Sequence, residues 1–140
     1  MKRLVLQFLV FVLSFSMYSQ SIIGKWKTID GVSGVEKSIV EIYKENGKLF
    51  GKIVDILDPN DKDALCEKCK DDNYNKPILG LVLIKNMQKD GDYYRKGTIF
   101  DPEHGKTFKC RLKLTDNQDV LQVRGYIAFL YATQYWERVK

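Results

Sequence analysis

The 140-residue chain holds a single histidine. One imidazole cannot form a His-based metal set and is at most a lone base. No serine or cysteine nucleophile is marked beside it, so no catalytic residues are assigned and an enzyme is not expected. No apolar run reaches the ~20 residues a membrane-spanning helix needs. There is no Gly/Ser/Pro-rich linker and no low-complexity tract, which leaves one domain. After the first twenty residues no stretch has a convincing amphipathic helical period. Basic residues outnumber acidic ones, 23 to 18. They form no cluster of the kind that binds nucleic acid, and no nucleic-acid partner is expected. The cysteine count is three, so at least one thiol stays unpaired.

What is present begins with a leader. Lys2 and Arg3 precede a twelve-residue apolar run, Leu4 to Phe15, with small residues at Ser14, Ser16 and Ser19. That is the order of a secretory signal peptide, with cleavage open between Ser16 and Ser19. The expected division is a signal peptide over 1–19 and a single domain over 20–140. The protein is then exported, periplasmic or secreted, and meets the membrane only through its signal peptide. A domain of about 120 residues buries roughly two-thirds of its unfolded surface and folds without staples.

Turn signals cut that domain into eight β-rich runs. They are Gly24–Ile29, Ser38–Lys44, Leu49–Leu57, Ile78–Asn86, Tyr93–Phe100, Thr107–Leu114, Val120–Tyr126 and Ala132–Val139. Asn46-Gly47 and Asp90-Gly91 are the strongest hairpin signals, since such turns need positive φ. Phe108, Cys110, Leu112 and Leu114 alternate with Lys109, Arg111 and Lys113. Period two with one polar face marks a half-buried antiparallel sheet. Eight such strands close into a barrel or pack as a sandwich; closure removes the exposed edges. Gly24-Lys25-Trp26 at the head of the first strand favours the barrel, with the indole plugging its floor. Trp26 and Arg138 are a candidate cation–π lid at that end.

Five features invite a functional reading. Trp26, Tyr43, Phe50, Tyr94, Phe108, Tyr135 and Trp136 line a small-ligand cavity or fill a closed core; an eight-stranded barrel permits either. Cys66-Glu67-Lys68-Cys69 sits in a polar stretch from Asp58 to Pro77, long for a loop in a compact domain. A redox motif wants its first cysteine at a helix N-terminus, and zinc wants four ligands. A local Cys66–Cys69 disulfide is the expected reading, with Cys110 as a buried small hydrophobe. Asp58, Asp61, Asp63, Asp71 and Asp72 lack the spacing and glycine of a calcium loop. No metal and no cofactor are assigned. His104 reads as an exposed turn residue. Lys109, Arg111, Lys113 and Arg124 form an outward row, read as a solvated sheet face.

Several segments together resemble a secreted bacterial family catalogued as domain of unknown function 2147. They include Gly24-Lys25-Trp26-Lys27-Thr28, Lys37 to Tyr43, Gly47 to Ile53, Lys76-Pro77-Ile78-Leu79-Gly80, Gly97 to Pro102, Gly105 to Cys110 and Gln134 to Val139. The family is distantly similar to the calycins, the lipocalin-like and avidin-like barrels. The resemblance implies an all-β, up-and-down antiparallel barrel of about eight strands, lipocalin-like. It carries over no activity and no catalytic residues. Two readings of function follow. One is an exported barrel binding a small apolar or amphipathic ligand, with the 58–77 loop over its mouth. The other is an envelope protein-protein module, an inhibitor or assembly factor, using that loop against an envelope protein.

Overall fold

A computed structural model describes residues 21–140. The signal-peptide reading falls outside the described residues. Eight strands run β1 (Gly24–Ile29), β2 (Glu36–Glu45), β3 (Lys48–Ile56), β4 (Val82–Asp90), β5 (Tyr93–Asp101), β6 (Lys106–Leu114), β7 (Val120–Ile127) and β8 (Leu130–Arg138). Each pairs antiparallel with the next, and β8 pairs back on β1 to close the barrel. Up-and-down order puts the 46–47, 91–92 and 115–119 turns at one end, the floor. The 30–35, 57–81, 102–105 and 128–129 connections share the other end, the mouth.

The floor half is filled. Trp26, Val40, Ile42, Leu49, Ile84, Met87, Leu112 and Leu121 point inward and are almost wholly buried. Two glycines let these side chains meet. A Cβ on Gly51 would stand 3.1 Å from both Ile84 and Val40, and one on Gly97 would collide with the Lys85 carbonyl and the Met87 sulfur. Trp26 sits at the bottom. Its Nε1 donates to the Ile22 carbonyl at 2.8 Å. The Arg138 guanidinium lies 4.3 Å from the ring centroid. Arg138 also donates to the carbonyls of Ser21 and Gln118 and pairs with Asp119. One cation thus ties the segment before β1, the end of β8 and the 115–119 turn over the indole.

β4 departs from the expected Ile78–Asn86. It starts four residues later because Ile78 to Leu81 forms a turn. Ile78 N–H donates to the Ala64 carbonyl, Gly80 N–H to Ile53, and Leu81 N–H to Ile78. Gly80 has φ +94°, outside any strand conformation. Leu81 is buried and Ile78 packs on the core, which explains why the run read as a strand.

Candidate ligand-binding site

Above the packed floor the interior opens. A cavity of about 850 Å³ occupies the mouth half. That volume lies within the range of small-molecule sites, about 300–1,000 Å³. Ile53, Ile56, Leu83, Ile99, Phe108 and Val123 form most of its apolar wall. Gly125 leaves space there: a Cβ on it would make only ordinary contacts, with Phe108 at 3.4 Å and Ile99 at 3.7 Å. Trp136 lies at the base. Its indole Nε1 donates to Gln134 Oε1 at 3.0 Å. Thr28 and Ser38 face the same space across β1 and β2 and share a hydroxyl hydrogen bond of 2.9 Å. The interior is thus apolar with a few neutral polar groups, and its charges are confined to the rim.

The rim is built by turns whose carboxylates are occupied locally. Asp30 accepts from the Val32 and Ser33 N–H groups. The Ser33 bond first, then the Val32 bond, holds its carboxyl below the ordinary value. Asp101 accepts from the Glu103 N–H, and its other oxygen lies 2.7 Å from His104 Nδ1. Glu103 accepts from Lys37 Nζ at 3.3 Å. Lys37 is the second residue of β2 and Glu103 lies in the turn joining β5 to β6, so this pair straddles the mouth. The hydrogen bond, then the charge of Glu103, raises the Lys37 ammonium above its ordinary value. Asp101, Glu103 and His104 bring three ligand-type atoms within 4.8 Å of one another. Lys37 and the Asp101–His104 contact already use all three. Among the described residues no hydroxyl or thiol bonds the His104 ring.

The long connection covers one side of the mouth. A 3₁₀ turn, Pro59–Asp61, is capped by Asp58, which accepts from the Asn60 N–H. Asp71 plays the same part for Asn73. Asp58 and Asp71 are thus turn-formers. Cys66 and Cys69 form a disulfide, and both are buried. Leu65 bridges Pro77, and Asn75 N–H donates to the Cys66 carbonyl. At Gly105 (φ +64°) a Cβ would collide with the Lys68 backbone. The disulfide segment is therefore seated on the β5–β6 turn. A smaller cleft of about 300 Å³ lies outside the barrel wall, between residues 69–73 and the outer face of β4 to β6.

The seven aromatic candidates do not converge. Phe108 and Trp136 line the cavity. Trp26 seals the floor, and Tyr94 packs on the lower core beside Leu112. Tyr43 and Phe50 stack on each other outside the barrel at 5.9 Å. Tyr135 is 52% exposed, beside Gln122 on the outer face. Sequence reading missed the aliphatic and small residues that make the wall, Gly125 among them. The period-two alternation of Leu121, Val123 and Gly125 is the signal that would have found them.

A family model described as "Uncharacterized protein conserved in bacteria (DUF2147)" matches residues 24–138. The chain belongs to this family. A search of curated proteins finds no match. Among solved structures, protein HP1028 from Helicobacter pylori, described as belonging to the lipocalin family, is similar. It shares 20% identity, covering 86% of this chain and 84% of its own, with a TM-score of 0.75. At that identity the likeness establishes the fold: a lipocalin-like closed barrel.

Proposed function

We propose that this protein is a non-enzymatic carrier in the cell envelope, binding a small apolar or amphipathic molecule in the mouth half of its barrel. The observation that carries the reading is the 850 Å³ cavity, apolar and open at one end, above a floor that is packed shut. Lipocalin-like barrels of eight strands are wide enough for one small ligand. Thr28, Ser38 and Gln134 offer hydrogen bonds inside. No charged group stands among the deep wall residues, so a charged headgroup stays at the rim near Lys37 and Lys68. The Cys66–Cys69 disulfide suits an oxidising compartment, which supports export. No described helix is long and apolar enough to cross a membrane.

The test is native mass spectrometry on protein purified from its own host, with organic extraction of whatever is bound. A defined adduct of a few hundred daltons is expected. A clean apo mass, with an envelope protein crosslinked through the 58–77 loop, would instead support the interaction module.

A further inference from the structure

The hairpin joining β7 to β8 differs from the others. Asn46-Gly47 and Gly91-Asp92 turn theirs with residues that accept positive φ. Ile127-Ala128-Phe129-Leu130-Tyr131 contains no such residue, and Ala128 takes φ +51°. All five are exposed, Phe129 at 87% and Leu130 at 64%. Polar residues are the rule in a tight turn, and a run of exposed apolar ones needs a reason. Val32, in the 30–35 turn, is fully exposed as well. Its turn packs on β8, where a Cβ on Gly31 would stand 3.4 Å from the Thr133 carbonyl.

Behind the tip the side chains are layered. Tyr126 and Tyr131 pair across the hairpin with ring centroids 5.8 Å apart. Below them Lys109 pairs in register with Tyr126, and the Arg124 guanidinium lies 4.3 Å from the Tyr131 ring centroid. Arg124 stands directly opposite Arg111. Their guanidiniums are turned to different partners, Arg124 donating to Thr133 Oγ1 and Arg111 to Gln122 Oε1, and both leave positive charge on the outer face. Strands β6 and β7 carry five basic residues and no acidic one. Of the acids at the mouth, Asp101 and Glu103 are held by His104 and Lys37, and Asp30 by its own turn. By strand rise, Arg124 sits about 10 Å from the hairpin tip. Interfacial apolar faces enter a bilayer to about 5–10 Å, with tyrosines at headgroup depth and basic residues against phosphates.

We propose that the β7–β8 tip docks this barrel on an anionic phospholipid bilayer. Phe129 and Leu130 enter the acyl boundary, Tyr126 and Tyr131 lie among the headgroups, and Lys109 and Arg124 meet the phosphates. The layering favours a bilayer over a protein partner: the apolar element is the narrow tip of one hairpin, not a broad face. Ile127, Leu130 and Tyr131 also line the cavity mouth. Docking therefore brings the mouth to the membrane, yet it does not depend on the cavity holding a ligand.

The test is flotation of residues 21–140, which contain every strand of the closed barrel, with vesicles of phosphatidylethanolamine and phosphatidylglycerol. Binding is expected there, weakened by salt, and much reduced on phosphatidylcholine alone. The double variant F129S/L130S should lose at least about tenfold in partitioning, from its apolar area, with an unchanged melting temperature. Lys109→Gln should lose about fivefold. Gly125→Leu, which fills the cavity, should float like the parent. Protein that stays soluble with anionic vesicles would overturn the proposal. So would flotation indifferent to F129S/L130S, or crosslinks from position 129 to a protein and not to lipid.

Discussion

The two halves of this barrel are made by the same eight strands with the same ladder bonds, yet one is solid and the other hollow. In the floor half, Trp26, Ile84, Met87 and Leu112 meet with no room left, and Gly51 and Gly97 are needed to let them fit. In the mouth half, Phe108, Val123 and Gly125 face empty space. Strand pairing therefore does not decide whether a barrel is open; inward side-chain volume does. The floor carries the stability, which frees the mouth to be shaped for a ligand.

The sharpest way to break that division is Trp26→Ala. Removing a fully buried indole should cost about 3–5 kcal/mol, and it also strips Arg138 of its ring partner. Denaturant unfolding would measure it. A cost under about 1 kcal/mol would mean Trp26 is not the floor.

Next come two glycines on the strands that flank β6, both paired with Cys110. Gly97→Ala collides with the Lys85 backbone and Met87 and should cost about 1–3 kcal/mol. Gly125→Ala meets only ordinary contacts and should be neutral or stabilise by up to about 1 kcal/mol. Equal costs would show that the mouth is as tightly packed as the floor.

The cysteines sharpen the contrast chemically. Burial pushes the Cys110 thiol up to about 12 from its ordinary 9.0. Native protein should show no reactive thiol at neutral pH, and unreduced, denatured protein one. The folded thiol stays protonated while the unfolded one ionises, so this group's share of stability is full below pH 9. It falls as pH rises from about 9 toward 12. Urea midpoints of parent and Cys110→Ala across that range would separate it from other groups: the parent should lose more.

The smallest effect belongs to the strap over the mouth. Lys37 and Glu103 are both well exposed, so Lys37→Met should change stability by less than about 1 kcal/mol. The raised Lys37 value means that, toward alkaline pH, the strap's contribution is kept up to pH 10.5 and is lost above it. Ligand exchange rates, measured by stopped flow, should rise more clearly than stability falls.

Much of the fold was legible. Gly24-Lys25-Trp26 marked the first strand and Asn46-Gly47 a hairpin, because positive φ is a local demand that few residues meet. β4 was obscured because Ile78 and Leu81 are apolar for a different reason: they anchor the end of the long connection on the core. The site was less legible. Tyr135 and Trp136 are neighbours on one strand, so they face opposite sides of the wall, and only Trp136 reaches the cavity. Tyr43 and Phe50 pair in register beside inward Ile42 and Gly51, which places both outside. Open space itself leaves no mark in a sequence; a glycine such as Gly125 shows where a side chain is missing only once its neighbours are known.

The measurement that tests the central claim most directly is titration of residues 21–140 with N-phenyl-1-naphthylamine, a neutral apolar fluorophore, comparing the parent with Gly125→Leu. The account predicts saturable, one-to-one enhancement in the parent. It predicts none in the variant, whose melting temperature should be unchanged or higher. Equal enhancement in both proteins would contradict it, because the probe would then be reporting a surface other than the cavity.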